Sequence, residues 1–328
     1  MSTISTVAVT GATGFVGRWV VRELVAKGYQ VRALVRDRAK ARRVLPESVA
    51  CITGDVLDAS RVEEVLSGAQ ACINLVGIIR EVRSPGNTQT FEGLHTRAPR
   101  LLVDRCQALG VRRFVQMSAL GVRDVGVSEY QRTKWEGEQA VRMSTLDWTI
   151  FRPGLIHGAE GEFMRLAKTW CTGHHAPWFF IPYFAREVED LRVPLGSVTL
   201  VAPRVQPVAV QDVAAAFVRC LGTPATIGEI YNLVGSETLT WPEMLGEVRD
   251  HVHGANRDLE PVGIPASAAA WGAKAAAAVG LGSLLPFDEG MARMGAEDST
   301  ASLDKVKTDL ALNPAPFRAA FREYAHTL

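Results

Sequence analysis

Over the first half of the chain, short apolar runs rich in β-branched residues alternate with stretches whose apolar positions recur every three or four residues. The first run is Thr6-Val7-Ala8-Val9-Thr10, and a helical pattern from Phe15 to Lys27, closed by Gly28, follows it. That order predicts a strand, a helix and a glycine cap. Gln30–Val35, Val49–Thr53, Ala71–Leu75, Arg113–Met117 and Trp148–Arg152 read as further strands, with Arg61–Leu66, Phe91–Leu109 and Ser128–Ser144 as helices between them. Strands that are apolar throughout belong to a sheet covered by helices on both faces. The expected fold is α/β, a doubly wound parallel sheet. After Arg152 the rhythm fails. A stretch dense in aromatics, prolines and glycines runs to Pro207, followed by two more strand-helix signals and an alanine-rich helix. The expected division is a main domain over 1–153 and a smaller mixed lobe over 154–328, interleaved near 208–235 with elements returning to the first.

The turn after the first strand carries the candidate chemistry. It reads Thr10-Gly11-Ala12-Thr13-Gly14-Phe15-Val16-Gly17 and opens directly into a helix. Gly11 suits the tight turn, Gly14 lets a pyrophosphate approach the backbone, and Gly17 lets helix and strand pack closely. The free amides of the helix N-terminus, around Thr13, Phe15 and Val16, then face the phosphates. Glycine turns are common, and what raises this one above the background is the strand before it and the helix after it. The fold class is then a Rossmann-type sheet with a smaller C-terminal substrate lobe, and a nicotinamide cofactor is expected on it. An acid that grips both ribose hydroxyls in an NAD site should close the second strand, but Val35 stands there, followed by Arg36. Loss of the acid and gain of a guanidinium favour a 2′-phosphate, so NADP(H) is preferred and NAD(H) is the alternative. The plainer reading is that Arg36, amid Arg32, Arg38, Lys40, Arg42 and Arg43, is merely part of a solvated basic helix start.

Charge and cysteine usage narrow the classes further. In 328 residues, 36 basic side chains face 35 acidic ones, for a net charge of +1, so no overall field recruits nucleic acid or an anionic membrane. The five cysteines are scattered and never spaced C-x-x-C, which argues against a disulfide framework or a thiolate zinc site and fits a reducing, cytoplasmic setting. The N-terminus lacks the charged and long apolar regions of a signal peptide. Val262 to Phe287 is apolar but is broken by Pro265, several glycines, Lys274 and Pro286, and reads as helical, not transmembrane.

Several further motifs follow in order along the chain. They are Gly54-Asp55-Val56, Asn74-Leu75-Val76-Gly77, Ser118, Tyr130-Gln131-Arg132-Thr133-Lys134, Arg152-Pro153-Gly154 and Val208-Ala209-Val210-Gln211-Asp212-Val213-Ala214. Together with the glycine turn they resemble the short-chain dehydrogenase superfamily in its extended and atypical branches, over some two-thirds of the chain. Asn74-Leu75-Val76-Gly77, the short interval from Ser118 to Tyr130, and Lys134-Trp135-Glu136-Gly137-Glu138 are most similar to bacterial relatives of the nucleotide-binding accessory subunit of mitochondrial complex I. The resemblance implies that Asp55 and Val56 lie along the adenine, that Leu75, Val76 and Gly77 follow the middle of the cofactor, and that Pro153 and Gly154 edge the nicotinamide. It implies that Tyr130 and Lys134 are the catalytic pair. One helical turn apart, both can face the cofactor. Lys134 would hold the nicotinamide ribose and lower the tyrosine pKa, and Tyr130 would exchange a proton as hydride moves. Catalytic members carry two or three hydroxyl residues after strand five, whereas here Ser118 is followed by Ala119. If Ala119 takes the polarising place, nucleotide binding survives and carbonyl reduction weakens.

The leading expectation is an NADP(H)-dependent oxidoreductase acting on an apolar carbonyl, enone or quinone-like small molecule. The competing one is a non-catalytic, nucleotide-stabilised accessory or assembly subunit of a respiratory-type complex, in which a protein complex is the partner. A sugar-nucleotide epimerase or dehydratase is the third. The aromatic stretch Trp170 to Phe184 could line a substrate pocket, meet a partner or bilayer surface, or form the lobe's core. Arg80, Glu81, Arg83 and His157 could touch substrate. His174-His175 and His251-x-His253 carry no ligand set with metal geometry, and no metal is expected.

Overall fold

The computed structural model describes residues 4–81, 89–174, 176–190 and 197–328. Arg83 and His175 lie outside the described residues. The chain forms two compact units, one made of Met1–Pro153, Val210–Leu233 and Ser302–Asn313, the other of Gly154–Ala209, Val234–Ala301 and Pro314–Leu328.

In the first unit the predicted alternation appears as β1 (Thr6–Thr10), α1 (Phe15–Ala26), β2 (Gln30–Val35), α2 (Arg38–Val44), β3 (Ala50–Thr53), α3 (Ala59–Leu66) and β4 (Ala71–Asn74). It continues with α4 (Ala98–Leu109), β5 (Arg113–Met117), α5 (Glu129–Arg142) and β6 (Asp147–Pro153). A seventh strand, Glu229–Leu233, joins them in the spatial order Glu229–Leu233, β6, β5, β4, β1, β2, β3, and every pairing is parallel. The order reverses between β1 and β4, so a crevice opens there at the carboxyl ends of the strands, the place where ligands bind in open α/β sheets. One face of the sheet is closed by α3, α4 and α5, whose Leu66, Leu102, Cys106 and Val141 pack with Ala8, Cys72 and Phe114. On the first unit's other helices, α1 packs against the helix Val210–Arg219.

The first strand residue of β5, Arg113, is buried despite its charge. Its guanidinium donates to the Asp147 carbonyl at 2.6 Å, Thr149 Oγ1 at 2.7 Å, the Cys220 carbonyl at 2.8 Å and Thr226 Oγ1 at 3.0 Å. These neutral acceptors tie β5 and β6 to the chain segment that leads into the seventh strand.

In the second unit, Ile181–Asp190 pairs parallel with Pro261–Pro265 and antiparallel with Ser197–Val201. Its core gathers Met164, Trp170, Ile181, Met244, Phe317 and Phe321. The aromatic stretch therefore divides between roles. Trp170 and Ile181 are core, while Trp178 and Phe179 are 59% and 82% exposed. Exposed positions away from caps and networks tolerate substitution within about 0.5 kcal/mol. Trp178→Glu and Phe179→Glu are accordingly expected to leave the melting temperature nearly unchanged. A fall of many degrees in a thermal melt would return both rings to the core. Among the described residues no helix is long and apolar enough to cross a membrane.

Candidate nucleotide and catalytic site

The turn after β1 works by close approach. Gly11 has φ +75°, and a Cβ there would lie 2.8 Å from the Leu75 carbonyl carbon, so only glycine fits. A Cβ on Gly17 would stand 2.1 Å from the Gly11 carbonyl oxygen, which is why helix and turn can pack. Gly14 is the N-cap of α1 and brings no side-chain cap. The amides of that first turn are the donors an anion can take up. Val16 and Gly17 are buried in this turn beside the half-buried Phe15.

A groove runs from here across the sheet. Gly11, Thr13 and Gly14 line it from the turn, Val35, Arg36 and Lys40 from the end of β2 and the start of α2. Asp55 and Val56 line it after β3, and Leu75, Val76 and Gly77 after β4. The Asp55 carboxylate accepts from the Leu57 amide at 2.9 Å, which fixes it at the loop. Val35 offers no side-chain acceptor to a ribose, whereas Arg36 and Lys40 put two cations at one end of the groove. Sequence reasoning assigned Lys40 only to a solvated helix start. Its spacing from Arg36, one turn on, is the signal that could have found it.

The catalytic candidates gather at the other end. Ser128 caps the start of α5, its hydroxyl accepting from the Gln131 amide at 3.2 Å. Lys134 is buried, and its ammonium donates to the Met117 carbonyl at 3.3 Å. A Cβ on Gly77 would lie 3.0 Å from Lys134 Nζ, so the groove wall and the ammonium are in near contact. Burial lowers the Lys134 pKa to about 8, against the pull of the Glu138 carboxylate. Glu138 is itself held by a two-pronged pair with Arg152, at 2.8 and 2.5 Å. Burial pushes the Tyr130 phenol up to about 12, opposite to the lowering expected from Lys134. The phenol is therefore protonated at neutral pH.

Ser118 continues the extended path of β5, its amide donating to the Phe151 carbonyl at 2.7 Å. Strand alternation gives it the face of Gln116 and Phe114, the one that α4 and α5 cover. Its hydroxyl is buried and has no hydrogen-bond partner among the described residues. An orphaned hydroxyl on this face suits a ligand oxygen. Ala119 falls on the opposite face by the same alternation.

Buried groups that sequence reasoning missed hold these parts together. Thr10, Asn74 and Gln116 sit in register across β1, β4 and β5. Thr10 Oγ1 donates to Asn74 Oδ1 at 2.6 Å, Asn74 Nδ2 to Gln116 Oε1 at 2.9 Å, and Gln116 Nε2 to the Met117 carbonyl at 2.9 Å. That carbonyl is the one Lys134 uses. Ahead of α4, residues Glu92–Arg97 form a π-helical segment, and its His95 is 2% exposed. His95 meets the Tyr130 ring edge-on at 5.2 Å between centroids, and Phe91 meets it at 5.9 Å. A Cβ on Gly137 would lie 2.0 Å from the His95 carbonyl oxygen, so α5 can press on this segment only at a glycine.

Pro153 closes β6, its carbonyl accepting from the Leu120 amide at 2.8 Å, while Gly154 opens the second unit. His157 is buried in that unit and pairs through Nδ1 with the Tyr324 hydroxyl at 2.9 Å. His251 lies 3.2 Å from a Glu247 carboxylate oxygen, and among the described residues no three His, Cys, Asp or Glu side chains converge on a metal position.

A family profile described as NAD(P)H-binding matches residues 11–168, the span from the glycine turn through the catalytic candidates. Over that span, just under half of the chain, it is similar to NAD(P)H-binding proteins of Rossmann fold. The chain is 27% identical over 247 residues to NADH dehydrogenase (ubiquinone) 1 alpha subcomplex subunit 9 of Dictyostelium discoideum, covering 74% of this chain and 62% of that protein. It therefore spans less than two thirds of that mitochondrial relative's length. It is 29% identical over 250 residues to a ceramide reductase of Caulobacter vibrioides, covering 76% of this chain and 71% of the other. Among solved structures of this NAD(P)-binding fold, the NADPH-dependent quinone oxidoreductase QOR2 of Escherichia coli aligns with a TM-score of 0.68 at 17% identity, over 97% of this chain and 99% of that one.

Proposed function

We propose that this protein is an NADP(H)-dependent reductase of an apolar carbonyl, enone or quinone-like substrate. The observation that carries the reading is Tyr130 and a buried Lys134 one turn apart on α5, with Lys134 against the Gly77 wall of the groove. When bound, the reduced nicotinamide supplies the hydride. Tyr130 gives its proton to the substrate oxygen, and Ser118 donates a hydrogen bond to the same atom. Lys134 holds the nicotinamide ribose and keeps positive charge near the phenol as it ionises. The likeness to a protein named ceramide reductase supports an apolar substrate.

Arg36 and Lys40 would grip the 2′-phosphate. A hydrogen bond to a charged group is worth roughly 1.5–3 kcal/mol, so the wild type should prefer NADPH over NADH by on the order of tenfold to a hundredfold. Arg36→Ala should lose most of the preference, Lys40→Ala part of it, and added salt should erode it. Titrating the three proteins with both nucleotides tests this. Equal affinities in the wild type would make NADP(H) the wrong choice, and an undiminished preference in Arg36→Ala would remove Arg36 from the 2′-phosphate.

A second reading keeps the nucleotide and drops the turnover. The exposed Trp178 and Phe179 and the complex I relatives support an accessory subunit stabilised by its cofactor through mass action. In that case the purified protein carries a nucleotide that no panel of carbonyls or quinones oxidises.

A further inference from the structure

The loop that lines the groove after β4 is pinned from behind by two buried side chains. Asn74 Oδ1 accepts from the Val76 amide at 3.2 Å, and His95 Nε2 accepts from the Ile78 amide at 3.2 Å. Gly77, between the pins, is the residue against Lys134. A backbone amide can only donate, so Nε2 of His95 must present a lone pair and the ring hydrogen must sit on Nδ1. Nδ1 stands 3.1 Å from Thr133 Oγ1, which accepts there and passes its own hydrogen to the Glu129 carbonyl at 2.9 Å. Both ring nitrogens are thereby committed. Burial, with the nearby Lys134 charge, lowers the His95 pKa to about 2, so the ring stays neutral at any working pH.

We infer that His95 is a positioning residue. As the neutral Nδ1–H tautomer it ties the 75–78 loop to α5, so that the groove wall, Lys134 and the Tyr130 ring keep one relative placement. It exchanges no proton with substrate. The π-helical segment serves this link, since an irregular turn brings the ring to a depth where it reaches a loop amide on one side and α5 on the other. The inference rests on the proposed nucleotide site for its functional part, and on the loop alone for its structural part.

Three measurements test it. Nitrogen NMR of the wild type should show His95 as the Nδ1–H tautomer, and an Nε2–H ring would overturn the inference without any variant. Amide exchange at Ile78 should be slow in the wild type and faster by about tenfold or more in His95→Phe, which keeps a ring but offers no acceptor. Thr133→Val, which removes only the Nδ1 partner, should move Ile78 the same way by less. NADPH affinity should fall about tenfold in His95→Phe and recover in His95→Gln, whose amide oxygen can meet Ile78. Unchanged exchange in His95→Phe, or equal losses in the Phe and Gln variants, would assign His95 to packing. If the wild type binds neither nucleotide, the proposed function fails, and Ile78 exchange still decides whether His95 holds the loop.

Discussion

Tyr130→Phe is expected to bind NADPH nearly as the wild type does and to turn over substrate about 100-fold more slowly, or worse. The substitution removes one oxygen and leaves the ring, so the edge contacts with His95 and Phe91 survive. The nucleotide groove is lined by other residues and keeps its shape. What disappears is the only proton held ready on this ring. Reduction of quinones or aldehydes by NADPH, measured together with nucleotide affinity, separates the two contributions. Turnover unchanged in the variant would remove Tyr130 from the chemistry. Ser118→Ala is the companion measurement. A large loss there fits the side that strand alternation gives Ser118, whereas a small one means the site lacks its polarising hydroxyl.

Arg113→Met should lower stability by about 3 kcal/mol or more while leaving nucleotide contacts in place. Each hydrogen bond from a charged donor is worth roughly 1.5–3 kcal/mol, and the guanidinium makes several to buried carbonyls and hydroxyls. Burial holds its pKa below the usual guanidinium value, so part of that gain is offset by lost hydration. The net remains large because methionine would abandon the Asp147 and Cys220 carbonyls together. Arg113→Lys should recover little, since one ammonium cannot span the same acceptors. A melting temperature lower by roughly 6–12 °C is the expected reading for a unit of this size. A shift under a degree or two would mean that neighbouring hydroxyls or water replace the fork.

What the sequence disclosed and what it hid have physical causes. β1 to β6 were legible because buried parallel strands are apolar runs, and their ends fall within a residue or two of expectation. The glycine turn was legible because close backbone contacts at Gly11 and Gly17 exclude any side chain. Arg113 was not, because a charge at the start of a strand ordinarily reads as a solvent-facing end. Asn74 and Gln116 look like interruptions in apolar runs until register places them side by side. Phe91–Leu109 reads as one regular helix, since the apolar spacing carries no trace of the π-helical turn, and so His95 passed for an ordinary helix residue. The return of Ser302–Asn313 to the first unit was hidden as well. Its helix Asp304–Leu310 buries only Val306 and Leu310, too little to form a pattern. Trp170 and Trp178 lie in one aromatic stretch, yet one is core and the other exposed, a difference that composition does not encode.

The strand order bears on how the protein is made. β6 emerges from the ribosome well before Glu229–Leu233, the strand that pairs along its free side. During that interval the growing sheet presents a row of unpaired backbone donors and acceptors, the kind of edge that templates wrong pairings. The nascent nucleotide unit is thus left open on one side while the residues of the second unit are being synthesised, and that is the interval in which a chaperone would have most to protect.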